Sequence, residues 1–225
     1  MNKQDWSRYP VTYFLLLVTV CVFLWMQVVY FGRASQVQTI YEMGGMYGWA
    51  VRLDPSQLWR LVTPIVIHID WEHTVFNSFA LWTLGRQLEP LFGSRRFFLH
   101  YLLAGVMGNA LVFFLTPDVV GVGASTSLFG LFASLLVLKY RSRQSYLRAL
   151  GAAYAPLILL NIGLTFLAPS ISIAGHLGGA LGGVLLICCL PPQVEKDLFS
   201  ARETVYALFA YLFLLILFMV LPYLV

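Results

Sequence analysis

Apolar residues in this chain gather in long uninterrupted runs, not at the spaced intervals of a half-buried helix or strand. Residues 9–32 carry no charge and include Leu15, Leu16, Leu17 and Val18; residues 97–117, 119–138 and 204–225 are also uncharged. Residues 149–194 form one uncharged stretch broken at 168–170. A bilayer core about 30 Å thick takes roughly 20 apolar residues per helix, so the last stretch holds two spans. A weaker span is expected near 73–92, where Arg86 and Glu89 interrupt the pattern. The runs predict an all-α membrane protein of seven helices.

The long connection, residues 32–72, is rich in Tyr41, Met43, Met46, Tyr47, Trp49, Leu53, Leu58 and Trp59. About forty residues is long for a loop without structure of its own. Short helical pieces are expected there, with tryptophan and tyrosine at headgroup level. No repeat, low-complexity tract or separate soluble domain is visible.

Composition agrees with this reading. Hydrophobic residues make up 60% of the chain and charged residues 11%, with a mean hydropathy of +0.79, which excludes an ordinary soluble domain. The first span is too long for a cleaved signal peptide and no small-residue cleavage site follows it. Cys21, Cys188 and Cys189 lie in apolar runs, and the adjacent pair points to different helix faces, so no disulfide framework is indicated.

The net charge of +4 is a topology signal and not a nucleic-acid footprint. Eleven basic residues fall on one side: Lys3 and Arg8, Arg86, Arg95 and Arg96, Lys139, Arg141, Arg143 and Arg148, then Lys196 and Arg202. Arg33, Arg52 and Arg60 alone fall on the other, in the first loop. By the positive-inside rule the N-terminus is cytoplasmic.

Two polar residues inside the apolar runs carry the chemistry. Ser125 sits in Gly121-Val122-Gly123-Ala124-Ser125-Thr126, and His176 in Gly175-His176-Leu177-Gly178-Gly179. A histidine in hydrocarbon is costly and marks a functional site. Ser125 to Leu138 is 14 residues, about 21 Å of helix; His176 to Leu190 is 15, about 22 Å. Both fall short of a ~30 Å core, so the pair comes out level, below the outer surface. The glycine-rich lead-in to Ser125 must then be irregular backbone, with Gly123 permitting a tight turn. Neutral imidazole is the usual base for a serine nucleophile, and amides at a helix start can hold an oxyanion.

Each feature alone has a bland reading. A serine at a helix start is an N-cap, a lone histidine is satisfied by a carbonyl, and Gly178-x-x-x-Gly182 and Gly179-x-x-x-Gly183 are packing patterns. Here packing and chemistry cooperate, because small residues bring the sixth span close enough for His176 to reach a neighbour. His73 and Asn77 share a helix face at the same end and suit oxyanion stabilisation. His68 with His73 leaves a metal site as a weaker alternative, for want of a carboxylate with ligand spacing to both. Asp70 and Glu72 read as solvated loop charges, His100 as structural. Glu89 is expected to pair with polar groups near the inner helix ends.

Together these residues resemble the rhomboid intramembrane serine proteases, over roughly residues 10–192. The resemblance rests on Trp59-Arg60, His73-x-x-x-Asn77, the Gly-x-Ser stretch at Ser125 and His176-x-x-Gly179-x-x-x-Gly183. It implies a Ser–His dyad with no acidic third member, Ser125 as nucleophile and His176 as general base, and no cofactor or metal. It places the oxyanion site at His73, Asn77 and the Ser125 amide, and the ring of Phe129 on the histidine. Gly123, Gly179 and Gly183 are supporting positions, and Trp59 and Arg60 brace the first loop. Substrates would be transmembrane proteins reached laterally from the bilayer past the fifth helix and a cap near 168–172.

The implied organisation is a short cytoplasmic N-terminus (1–8), a six-helix rhomboid-like core (9–192), and a linker with one added C-terminal helix (193–225). The protein would be multi-pass in the cell membrane, its site opening outward. Thr126 departs from the family's usual Gly-x-Ser-Gly and would bring a side chain toward the oxyanion site. The rival reading is an inactive rhomboid-like protein that binds membrane clients. A transporter, which should show internal repeats, is a distant third.

Overall fold

The computed structural model describes residues 3–167 and 171–224. Long helices stand where the apolar runs predict them. In chain order the helices are α1 (Lys3–Arg8), α2 (Pro10–Val29), α3 (Val37–Glu42), α4 (Gly48–Leu53), α5 (Trp71–Phe92), α6 (Ser94–Leu115), α7 (Ser125–Arg141), α8 (Ser145–Leu167), α9 (Ile173–Cys189) and α10 (Ala201–Val220). No strand occurs among the described residues beyond an isolated antiparallel bridge, Met46 with Gly121. By length and composition α2, α6, α8 and α10 can each cross a membrane, and α9 is a shorter apolar helix. α5, with Glu72, Arg86 and Glu89, is the least apolar by pattern, as expected. The cap expected near 168–172 lies outside the described residues over 168–170; Ser172 is the N-cap of α9, accepting from the Gly175 N–H.

The connection between α2 and α5 is folded, as its aromatic content predicts. It holds α3, α4 and two short 3-10 turns, Pro55–Leu61 and Thr63–Val66. Arg60 is buried at its centre. The guanidinium donates to Tyr41 O and Gly45 O, each at 2.7 Å, and to Gln57 Oε1 at 2.6 Å. It also lies 4.2 Å from the Tyr41 ring centroid and 4.6 Å from that of Trp59. A buried cation is costly unless its donors are used. Here those donors hold two segments of the loop together.

α9 is wedged between α6 and α7, and these three helices pack most extensively among the described residues. Its glycines form two stripes. Gly178 and Gly182 face Met107 and Leu111 of α6, while Gly179 and Gly183 lie against the Thr126 and Gly130 carbonyls of α7. Without side chains at these positions the backbones meet directly. Ser134 joins all three helices: its hydroxyl lies 2.7 Å from His100 Nε2, 2.9 Å from Gly130 O and 3.2 Å from Gly183 O. His100 is thus structural. A methyl at position 183 would collide with the Gly130 carbonyl. Gly183→Ala is expected to cost about 1–3 kcal/mol, as overpacking does. An unchanged unfolding midpoint in detergent would contradict this packing.

α10 lies against α6 and α9. Its N-terminus carries a Ser200–Glu203 capping box, Thr204 donates to Cys188 O, and Tyr211 donates to Leu103 O at 2.9 Å. Basic residues gather at one end. Arg96 donates to Pro191 O, and Arg141 pairs with Glu203. Arg143 pairs with Glu195 and Asp197, and its hydrogen bond holds the Asp197 carboxyl below its ordinary value.

Candidate active site

The helix that begins at Ser125 is preceded by irregular backbone, as its length requires. Gly123 has φ +120°, a conformation glycine alone adopts without strain. Three contacts hang this lead-in on the braced first loop. Gly121 and Met46 exchange two backbone hydrogen bonds of 2.8 Å, Gly123 N–H donates to Pro64 O at 2.8 Å, and Ala124 N–H reaches His68 Nε2 at 3.4 Å. Arg60 therefore acts at a distance, by fixing the loop on which the segment before Ser125 is hung.

His68 was legible only as a weak metal candidate; the fold makes it an anchor for that segment. It is fully buried, and its ring centroid lies 4.9 Å from that of His73. Burial, with His73 beside it, pushes its pKa well below the usual histidine value, so Nε2 remains an acceptor. Among the described residues no group of three or more metal-ligating side chains converges.

Asp70 corrects the reading of a solvated loop charge. It is the N-cap of α5 and accepts the His73 N–H at 2.7 Å. A carboxylate there takes up an orphan donor and favours the helix dipole. This sets the first turn of α5 and so the aim of His73 and Asn77. Both converge on Gly123: a Cβ there would lie 2.7 Å from His73 Nε2 and 3.7 Å from Asn77 Nδ2. Asn77 Nδ2 is a buried donor with no partner among the described residues.

Ser125 is half-buried in the first turn of α7, and its backbone N–H, at the helix start, has no backbone partner among the described residues. His176 occupies the first turn of α9 and is 6% exposed. Phe129, one turn beyond Ser125 on the same helix, stacks on the His176 ring with centroids 3.8 Å apart and planes 15° from parallel. His176 Nδ1 lies 2.7 Å from Thr165 Oγ1. Ser125 and His176 are not hydrogen-bonded to one another. Catalytic hydrogen bonds commonly tighten only once substrate is engaged.

Thr126 is buried in the first turn of α7. Its side chain turns toward Gly108 of α6 and Gly175 of α9, where Cβ positions would lie 3.0 and 3.1 Å from its Cγ2. Glycines on two neighbouring helices supply the room that glycine at 126 would otherwise leave. Ser127 is fully buried and faces Gly105. Thr165 was not legible beforehand, its only signal being a hydroxyl within an apolar run.

Residues 55–193 match the family model of the Rhomboid domain. The chain is 32% identical over 179 residues to rhomboid protease GluP of Bacillus subtilis (strain 168), across 80% of this chain and 34% of that protein. It is thus similar to about a third of GluP's length. It is 29% identical over 187 residues to the putative rhomboid protease YdcA of the same organism, across 82% and 91% of the two chains. A more distant similarity, 28% over 174 residues, is to inactive rhomboid protein 1 of Drosophila melanogaster, covering 76% of this chain and 12% of that one.

Proposed function

Since the chain belongs to the rhomboid family of integral, multi-pass membrane proteins, we propose that it is an intramembrane serine endopeptidase that cuts membrane proteins in or near a transmembrane segment. The observation that carries this reading is the stack of Phe129 on His176. It brings an imidazole from α9 onto the α7 face that bears Ser125.

In this reading Ser125 Oγ attacks the scissile carbonyl while His176 Nε2 takes its proton. The oxyanion is held by the Ser125 N–H, Asn77 Nδ2 and His73. The imidazolium then protonates the leaving amine, and water, activated by the same base, hydrolyses the acyl-enzyme and frees Ser125. Residues 9–192 form the six-helix catalytic core, after the N-terminal segment 1–8. Residues 193–225 add the linker and a seventh helix, giving a six-plus-one arrangement. The N-terminus is cytoplasmic, the protein lies in the cell membrane, and the site opens to the outer side. Transmembrane substrates approach laterally past α8, which packs on α7 and barely touches α9.

Fluorophosphonate labelling of the detergent-solubilised protein tests the reading without a known substrate. The adduct is expected at Ser125, near one per chain, and lost in His176→Ala. The second reading, a client-binding protein without activity, is favoured by the missing Ser125–His176 hydrogen bond and by the similarity to an inactive relative. No adduct in folded wild-type protein would establish it over the first.

A further inference from the structure

The geometry points to Thr165 as a positioning residue that selects the tautomer of His176; the inference rests on the dyad reading above. Thr165 lies on α8, and its Oγ1 has two close partners, Asn161 O at 2.7 Å and His176 Nδ1 at 2.7 Å. A threonine hydroxyl has one proton to give. Asn161 O is a carbonyl and brings none. An O···O separation of 2.7 Å is a hydrogen-bond length that requires a proton between the atoms, and helical threonine commonly donates to the carbonyl four residues back. The hydroxyl proton is therefore spent on Asn161. Oγ1 offers His176 only a lone pair, so Nδ1 must carry the hydrogen. In a neutral ring this leaves Nε2 bare, the form a general base requires.

Among the described residues hydrogen-bonded to the ring, Thr165 alone is placed to make this choice. Among the described residues no carboxylate hydrogen-bonds His176. The ring and Thr165 border a cavity of about 150 Å³ between α7, α8 and α9, whose other walls, including Phe132, Ile158, Ile162 and Leu177, are apolar. With the hydroxyl removed, Nδ1 faces hydrocarbon. The imidazole proton is then no longer held at Nδ1, and a ring that carries it on Nε2 can no longer accept from Ser125. Phe129 fixes the plane of the ring and Thr165 fixes its rotation in that plane. The hydrogen bond also joins α8, which otherwise barely touches α9, to the catalytic base, so the state of the base depends on where α8 sits.

The test uses the full-length protein labelled with ¹⁵N-histidine, His176→Gln identifying the resonance. Wild type and Thr165→Ser are expected to show Nδ1–H, and Thr165→Val mainly Nε2–H. The rate of fluorophosphonate labelling at Ser125 should fall at least about tenfold in Thr165→Val and recover to within about threefold in Thr165→Ser, an effect in the range of outer-shell and tautomer changes. Thr165→Ala serves if Thr165→Val does not fold. An Nε2–H tautomer in wild type, or undiminished labelling in the folded valine or alanine variant, overturns the inference. If wild type takes no label but shows Nδ1–H, lost in Thr165→Val, the peptidase reading fails and the positioning role stands.

Discussion

Ser125→Ala is expected to lower cleavage of reporter proteins with single transmembrane segments by a factor of roughly 10³ or more. His176→Ala should do the same, and the double variant should be no worse than either single one. Groups that act in one step are grossly non-additive, because removing either leaves the other without a task. What remains is the contribution of oxyanion donors and substrate binding, here Asn77, His73 and the Ser125 amide. The Ser125 hydroxyl makes no hydrogen bond among the described residues, so Ser125→Ala should leave the unfolding midpoint unchanged. That separates chemistry from folding. The outcome that would displace Ser125 is full activity in Ser125→Ala with loss in Ser127→Ala, although Ser127 is fully buried.

The largest stability effect is expected at Glu89→Ala, about 3–5 kcal/mol by the usual cost of stripping a buried charged network. Glu89 is 1% exposed near the end of α5. It accepts from Val11 N–H at 2.9 Å, Thr12 N–H at 2.8 Å, and the Thr12 and Ser94 hydroxyls at 2.7 Å each. Pro10, the first residue of α2, has no N–H to satisfy, so Val11 and Thr12 bring the orphan donors of that helix start. One carboxylate thus caps α2 from α5 and also holds the start of α6. Its loss strands the buried Thr12 donors and the half-buried Val11 and Ser94 donors at once. Thermal unfolding in detergent is the measurement, and a midpoint within error of wild type would mean the donors find water instead.

The two predictions differ in how far each could be foreseen. Ser125 and His176 stood out before any coordinates, because a polar side chain in an otherwise unbroken apolar run is expensive wherever it lies. The helix positions were legible for the same reason. Lipid imposes apolarity on the whole segment, so runs of hydrophobic residues mark spans without reference to one another. The short start of α7 followed from counting residues against bilayer thickness, Glu89 was marked by a charge interrupting an apolar span, and Arg60 came with the family resemblance.

The partners of those residues were not legible. Asp70 looked like a loop charge and is a helix cap; the room for the Thr126 side chain comes from Gly108 and Gly175 on two other helices; His68 looked like a spare ligand and anchors the segment before Ser125. Thr165 had no mark at all. A hydrogen bond needs its two atoms within about 3 Å and suitably aligned. Ala124 and His68 are separated by 56 positions and Thr12 and Glu89 by 77, so only the packing of one helix on another brings them into register. Burial is a property of a residue and its immediate run, which one dimension records. The pairing of donors with acceptors is a property of three.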